Sequence, residues 1–129
     1  MIVKRLLCPE RLRRVPPGFN WLDHRLVSQN FLARCDCNAL ALYLFLVTVA
    51  DVQGLSYYSD AAIGRHLRLD PLALAAARQQ LVRAELLAYQ KPLYQVLGLD
   101  APAPGPARAG REQSVGEVLR RLWPPGGGQ

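Results

Sequence analysis

The sequence predicts an α+β domain, mainly helical, between a basic N-terminal extension and a tethered C-terminal helix. Three observations support this fold class. The chain has 129 residues, 50% of them apolar, which suffices for one domain with its own core plus extensions. Between residues 36 and 99, three helical patterns with capping residues are followed by two short β-prone runs. A Pro/Ala/Gly-rich stretch then separates this domain from one last amphipathic segment.

The first predicted helix of the domain is apolar on nearly every face. It runs from residue 39 to about residue 52, with Asp36 or Asn38 as its N-cap and Gly54 just past its end. Its sequence ALALYLFLVTVA is typical of a helix at the centre of a core. The β-branched residues at 47–49 leave a strand as the alternative interpretation.

A second, shorter helix follows a β-prone stretch at residues 55–58. Ser59 or Asp60 caps it, and it covers residues 61–67. Two apolar residues four positions apart mark its inner face, because such residues lie on the same side of a helix. They are Ile63 and Leu67.

The third helix is predicted from residue 71 to about residue 85, after a turn at 68–70. Asp70 is its cap, and Pro71 stands at the first helical position, where proline is favoured. Two strands, residues 86–90 and 93–97, then form a hairpin around Lys91-Pro92. The inward stripe of the third helix is predicted to consist of Leu74, Ala77, Leu81 and Ala84.

The two ends of the chain differ from the domain. Residues 1–35 form the basic extension, with an extended or turned stretch at 15–22 and a brief helix within 23–32. Residues 100–113 read as a linker, residues 114–123 as an amphipathic helix opened by an S-x-x-E capping box, and residues 124–129 as a disordered tail. The apolar face of the C-terminal helix consists of Val115, Val118, Leu119, Leu122 and Trp123.

The chain carries a net charge of +6, and the excess lies near its N-terminus. Residues 1–34 hold seven basic and two acidic groups, a net charge of +5, whereas residues 35–97 hold five of each sign. A basic chain suits nucleic acid, a membrane surface or an acidic protein as partner. Any acidic partner is therefore expected to contact the N-terminal third first.

The order helix, strand, helix, turn, helix and hairpin is that of a winged helix-turn-helix. The residue pattern is similar as well: Tyr57-Tyr58-Ser59 precedes the second helix, Asp70-Pro71 opens the third, and Leu86-Leu87 leads into the hairpin. Residues 38–97 therefore resemble winged helix-turn-helix DNA-binding proteins, most of all bacterial replication-initiator and mobile-element helix-turn-helix proteins. A further resemblance is to short proteins encoded beside insertion sequences.

The resemblance implies that the third helix reads base edges of double-stranded DNA with polar residues just after its first proline. This chain departs from that pattern, because the leucine and alanines at positions 72, 73, 75 and 76 cannot read the hydrogen-bonding code of the bases. Glu85 also stands where the family usually has glycine. Contacts are therefore expected mainly at phosphates, with weak specificity. The expected DNA-binding residues are Arg11, Arg13, Arg14, Arg65, Arg68, Arg78, Gln79, Arg83 and Lys91.

Other classes of site find little support in the sequence. Two histidines outside any recognisable constellation, and no nucleotide-binding loop, predict a protein that is not an enzyme and needs no cofactor. Cys8, His24, Cys35 and Cys37 lack the paired spacing of a zinc site, so no metal is expected. The longest apolar run is too short to span a bilayer, and the N-terminus lacks the features of a signal peptide. Three cysteines fit no disulfide framework, and the cytoplasm is the expected compartment.

Two functional hypotheses remain open at this stage. The first is a small DNA-binding protein, either a transcriptional regulator or an accessory factor of replication or of a mobile element. In it, the arginines at 11, 13 and 14 form an arm for phosphates or the minor groove, unless they are simply a solvated basic terminus. The second is a protein-interaction module on a winged-helix scaffold, in which the C-terminal helix binds a second copy or another protein. Docking of that helix on its own domain is the further alternative.

Overall fold

The computed structural model describes residues 3–100, and these residues fold into four α-helices and a three-stranded antiparallel sheet. This α+β architecture agrees with the predicted class. Two single-turn 3-10 helices, Pro9–Arg11 and Leu32–Arg34, accompany them. In chain order the elements are α1 (Arg25–Ser28), α2 (Cys37–Val49), β1 (Leu55–Tyr57), α3 (Asp60–Leu67), α4 (Pro71–Arg83), β2 (Leu87–Gln90) and β3 (Leu93–Val96).

Helix α2 is the centre of the core, but it is enclosed on one side only. Its N-cap is Asp36, whose carboxylate accepts a hydrogen bond from the Ala39 amide at 2.9 Å. Its inner face packs chiefly against α4. On the outer face Leu44 keeps 56% of its surface exposed, and no element within residues 3–100 covers it. The enclosed residues are Ala39, Leu42, Tyr43, Leu46 and Val47.

Helix α2 ends at Val49 rather than near residue 52. The cause is Asp51, whose Oδ1 accepts hydrogen bonds from the backbone amides of Gln53 and Leu55 at 2.8 and 2.9 Å. Such a turn satisfies the backbone locally and competes with the next helical turn. Residues 47–49 are helical, so the strand interpretation is wrong for them.

Helices α3 and α4 begin at the predicted caps. Ser59 Oγ accepts a hydrogen bond from the Ala62 amide at 3.1 Å, and Asp70 Oδ1 accepts one from the Ala73 amide at 2.7 Å. Helix α4 ends two residues earlier than expected, because Glu85 adopts a left-handed conformation with φ 63°. The predicted inward stripe is confirmed: Leu74, Ala77, Leu81 and Ala84 are all buried.

The sheet has the strand order β1-β3-β2. Strands β2 and β3 form the predicted hairpin, and β3 also pairs with β1. Tyr94 of β3 lies opposite Tyr89 on one side and Ser56 on the other. Tyr94 is fully buried, which shows that this face of the sheet packs on the helices. Gly54 precedes β1 with φ +85°, and its carbonyl accepts the Val96 amide at 2.8 Å.

The predicted N-terminal extension divides into two parts. Residues 3–22 are exposed at every position. From α1 onward the chain packs on the core, with Leu26 buried and Phe31, Leu32 and Cys35 against the core cluster. The packed unit therefore begins before the predicted boundary at residue 36, because α1 and the second 3-10 helix supply part of its apolar cover.

Two polar contacts hold the ends of the packed unit together. The Asn20 side-chain amide donates to the carbonyls of Thr48 and Ala50, at 2.9 and 3.2 Å, and so satisfies free carbonyls at the end of α2. Arg25 forms an ion pair with Asp100 at 2.6 Å. The predicted linker, C-terminal helix and tail lie outside the described residues, apart from Asp100 itself.

Candidate nucleic-acid interface

The turn between α3 and α4 is a tight one that depends on a close backbone approach. The Leu69 amide donates to the Gly64 carbonyl at 3.1 Å, and Arg68 between them has φ 58°. This is the hydrogen bond of a Schellman-type helix end. A Cβ at Gly64 would lie 2.9 Å from the Leu69 carbonyl oxygen. Glycine at 64 therefore lets α3 stop and α4 start within three residues.

The exposed face of α4 is almost neutral. Leu72 is 82% exposed, and Ala75, Ala76 and Gln79 are exposed beside it at helical spacing. Arg83 extends the same side at the end of the helix. This face offers apolar contact over its first two turns and one amide, that of Gln79, in the third, which is a poor set of groups for reading base edges.

Arg78 is engaged within the fold, although the sequence predicts it as a DNA contact. Its Nη1 donates to Asp60 Oδ1 at 3.0 Å and to the Tyr94 hydroxyl at 2.9 Å. Its Cζ lies 4.4 Å from the centre of the Tyr89 ring, in cation–π geometry. Only 14% of its side chain is exposed. Arg78 thus joins the start of α3 to both strands of the hairpin, and we call Arg78, Asp60, Tyr89 and Tyr94 the arginine node.

Arg78 and Tyr94, two members of the arginine node, are largely shielded from water. The Tyr89 and Tyr94 rings lie 4.6 Å apart between their centres, and the Tyr89 ring lies against the guanidinium. Burial raises the pKa of the Tyr94 hydroxyl to about 12, although hydrogen bonding to Arg78 opposes the shift. The hydroxyl therefore stays protonated at neutral pH. Sequence reasoning missed the node because its four residues come from four different elements, and no local spacing marks them.

A second cross-link missed by sequence reasoning connects α4 to the start of α2. Gln80 Nε2 donates to Asp36 Oδ2 at 2.8 Å, while Gln80 Oε1 accepts the Asp36 backbone amide at 2.8 Å. The hydrogen bond from the Ala39 amide, and then the one from Gln80, lowers the pKa of the Asp36 carboxyl. Asp36 thus caps α2 and also binds Gln80 of α4. The two neighbouring glutamines therefore differ in role, because Gln79 is exposed whereas Gln80 is hydrogen-bonded within the fold.

The remaining predicted cations of the domain are exposed and lie at three separate places in the fold. Arg65 and Arg68 lie near the end of α3, Arg83 at the end of α4 and Lys91 at the tip of the hairpin. A helix of 13 residues is about 20 Å long, so α4 separates Arg68 from Arg83 by roughly that distance. None of the four forms an ion pair within residues 3–100. They form a scattered set of charges rather than one basic patch.

The three arginines of the predicted arm do occur together. Arg11 closes the 3-10 turn Pro9–Arg11, and Arg13 and Arg14 follow it closely, outside any helix or strand. All three are exposed. They form the densest group of cations in the described residues, just ahead of the bend at Pro17-Gly18.

The other predicted sites have different outcomes. The proposed partner-binding residues Val115, Val118, Leu119, Leu122 and Trp123 lie outside the described residues. Cys8 and Cys37 are exposed and Cys35 is partly buried, and burial raises the pKa of the Cys35 thiol. Within residues 3–100, no three His, Cys, Asp or Glu side chains come together as metal ligands.

Comparisons with known proteins give no relative for this chain. No protein-family model matches it, and neither the curated proteins nor the solved structures include a significant match. Among residues 3–100, no helix has both the length and the apolar character needed to cross a membrane.

Proposed function

We propose that this chain is a small, non-catalytic DNA-binding protein whose domain is a winged helix-turn-helix. The order α2-β1-α3-α4-β2-β3, with strand order β1-β3-β2, carries the proposal. In such a layout α4 is the helix offered to the major groove, and the β2–β3 hairpin is the wing. The role is that of a transcriptional regulator or an accessory factor of replication or of a mobile element.

The charge distribution supports binding mainly at phosphates, with weak sequence specificity. The exposed face of α4 carries leucine and alanine, and Arg78 is held by the arginine node rather than free for DNA. Among the predicted DNA contacts, those of the arm and of the scattered set on the domain form no ion pair within residues 3–100. We therefore assign most of the affinity to Arg11, Arg13 and Arg14, with smaller contributions from Arg65, Arg68, Arg83 and Lys91, and with Gln79 as the single polar group of α4 placed for bases.

The test compares two triple alanine variants with equal charge change, on a random-sequence duplex. Replacing Arg11, Arg13 and Arg14 should lower affinity roughly a hundredfold at low salt and reduce the salt slope by about 2.7, because three phosphate contacts are lost. Replacing Arg65, Arg68 and Arg83 should lower affinity less, because these charges are dispersed. Fluorescence anisotropy at four salt concentrations measures both quantities.

Three outcomes contradict the proposal. If the two variants lose equal affinity, the arm is not the main contact. If one duplex competes more than about a thousandfold better than random sequence, binding is specific and the neutral face of α4 reads bases after all. If the wild-type chain does not bind duplex DNA at low salt, the DNA-binding function itself fails.

One observation favours a second candidate function, a protein-interaction module on the same scaffold. Leu72 is 82% exposed at the start of α4, and small alanines flank it, so this face suits apolar docking better than base readout. Binding of a protein through it should change little with salt, whereas binding of DNA through the arm should weaken steeply. Leu72→Asp separates the two, since it should abolish protein docking and leave arm-driven DNA binding within about threefold.

A further inference from the structure

Two large aromatic side chains are exposed at the junction between the arm and the packed domain. Phe19 is 61% exposed and Trp21 is 72% exposed. Most other aromatic rings of residues 3–100 pack on the core or on one another, as Phe45 does on Tyr58. Neither Phe19 nor Trp21 pairs with another ring or with a cation in that part of the chain. Because aromatic side chains contribute most when they are covered, these two rings form a candidate contact surface.

The backbone between the two rings is fixed on the domain. The Asn20 side-chain amide donates to the carbonyls of Thr48 and Ala50 at the end of α2. Two residues of chain span at most about 7 Å. A flat base with a ring on each face needs about the same distance, since each van der Waals contact takes roughly 3.5 Å. Phe19 and Trp21 therefore leave the anchored backbone at points whose separation suits the stacking of bases.

The arm lies within reach of the same nucleotides. Arg11, Arg13 and Arg14 are exposed, and the chain from Arg14 to Phe19 limits the separation of their Cα atoms to about 18 Å. Single-strand binding sites of small domains cover roughly 4–16 nucleotides. One strand can therefore contact the arginines with its phosphates and the rings with its bases.

The carboxylates near Trp21 leave this attraction for phosphates in place. Asp23 and Asp51 line the same cleft as Trp21. Asp23 forms an ion pair with Arg25 at 2.7 Å, and Asp51 accepts two backbone amides. Residues 3–22, which lead to the rings, hold five cations and one carboxylate. The junction therefore presents a positive field beside the two rings.

Exposed rings beside exposed cations are typical of a surface that binds single strands. Aromatic side chains stack on unpaired bases, and basic side chains follow the phosphates. In a duplex the bases already stack on one another, so exposed rings meet only base edges, sugars and phosphates. We infer that Phe19, Trp21 and the arm bind single-stranded DNA, with the rings on bases and the arginines on phosphates. This inference rests on the proposed DNA-binding function and names the form of DNA that the junction takes.

Fluorescence of Trp21 tests the inference in the full chain. The chain has two tryptophans, so Trp123→Phe leaves Trp21 as the single reporter. An oligothymidylate of about 12 nucleotides should quench its emission, because a stacked base lies against the ring. A duplex of the same length should bind through the arm and quench it little. An abasic strand should also quench it little, since it offers phosphates without bases.

Affinities of three variants measure what the rings contribute. Trp21→Ala should lower affinity for the oligothymidylate about tenfold, and affinity for the duplex by less than about twofold. Trp21→Tyr should keep single-strand affinity within about threefold of the wild type, because tyrosine retains a stacking face. Tyr57→Ala is the matched control. Tyr57 is 68% exposed on β1, away from the junction, and its removal should leave both affinities unchanged.

Four outcomes would overturn the inference. Equal quenching by duplex and single strand would mean that Trp21 wedges into double-stranded DNA. Quenching by oligouridylate at about tenfold lower concentration would assign the site to RNA. A blue shift with phosphatidylserine vesicles and no response to oligothymidylate would assign the rings to a membrane surface. Unchanged single-strand affinity in folded Trp21→Ala would mean that the arm binds alone, and should that variant unfold, absence of quenching in Trp123→Phe contradicts the inference equally.

The inference and the proposed function can fail separately. Duplex binding without quenching by the single strand would sink the inference and leave the proposed function intact. Quenching by the oligothymidylate without binding to any duplex would support the inference and contradict binding of double-stranded DNA through the arm.

Discussion

The N-terminal extension and the packed domain divide two properties that small basic proteins often combine in one surface. Residues 3–22 are exposed at every position and contain the arm arginines, whereas residues 35–97 are neutral overall and contain most of the core. The charges available to a partner therefore lie mainly in the extension, whereas the contacts that stabilise the fold lie mainly in the packed domain. Substitutions in the two regions should accordingly change binding and folding separately.

Arginines illustrate this division most clearly. Arg78 in the domain keeps only 14% of its side chain exposed and uses its guanidinium to join α3 to the hairpin. Arg13 in the extension is exposed and forms no hydrogen bond to a residue within 3–100. The same side chain thus serves structure at one position and remains available for a partner at the other. The difference arises because Arg78 has the buried Tyr94 and the partly buried Tyr89 beside it, whereas residues 3–22 are exposed throughout.

Glycine-to-alanine substitutions should give the largest difference in stability between the two regions. At Gly54 a Cβ would lie 2.7 Å from the Val96 carbonyl oxygen, and φ is +85°, whereas nothing lies within 4 Å of a Cβ at Gly18. Gly54→Ala should lower the free energy of unfolding by about 3 kcal/mol, because steric overlap adds to backbone strain. Gly18→Ala should change it by less than about 0.5 kcal/mol. Urea denaturation of both variants gives the two values.

Similar losses in the two glycine variants would contradict the division. They would mean that the extension is part of the cooperative unit, despite its exposure. A small loss at Gly54 would mean that the β1–β3 pairing shifts to accommodate the new methyl group.

Local sequence signals predicted most of the fold. The caps Ser59 and Asp70 and the inward stripe of α4 depend on neighbours a few residues away, so spacing alone reveals them. The end of α2 was missed because Asp51 closes a competing turn there. The exposed outer face of α2 was missed because apolar composition does not tell how many elements surround a helix.

The candidate site was less predictable than the fold. The leucine and alanines of α4 predicted that this helix offers few groups for reading the edges of DNA bases. The structure exposes Leu72 on that helix, which is consistent with the prediction. The internal use of Arg78 did not follow, because its partners Asp60 and Tyr94 lie 18 and 16 residues away. Gln80 pairs with Asp36 across 44 residues. Long-range polar pairs of this kind leave no periodic signal in a single sequence.

Conservative arginine substitutions should sharpen the comparison with a smaller effect. Arg78→Lys keeps the charge but loses the planar group that reaches Asp60, the Tyr94 hydroxyl and the Tyr89 ring together. The free energy of unfolding should fall by about 1.5 kcal/mol. Arg13→Lys in the extension should leave it within about 0.5 kcal/mol of the wild type. Thermal unfolding followed by circular dichroism compares the two, and an unchanged stability of Arg78→Lys would show that the node contributes charge alone.

The smallest expected effect is a gain, and it tests whether the packed domain is itself optimised for stability. The Leu86 amide donates to the Leu81 carbonyl and the Glu85 amide to the Val82 carbonyl, both at 3.0 Å, which is the Schellman end of a helix. Glu85 adopts the left-handed conformation there, with φ 63°. Because an L-residue is strained in that region, Glu85→Gly should raise the free energy of unfolding by about 1 kcal/mol. Glu85→Ala is the control, since it removes the same carboxylate and keeps the strain. An equal gain in both variants would trace the effect to the charge, and a loss in Glu85→Gly would show that the Glu85 side chain stabilises the start of the hairpin by more than the backbone strain costs.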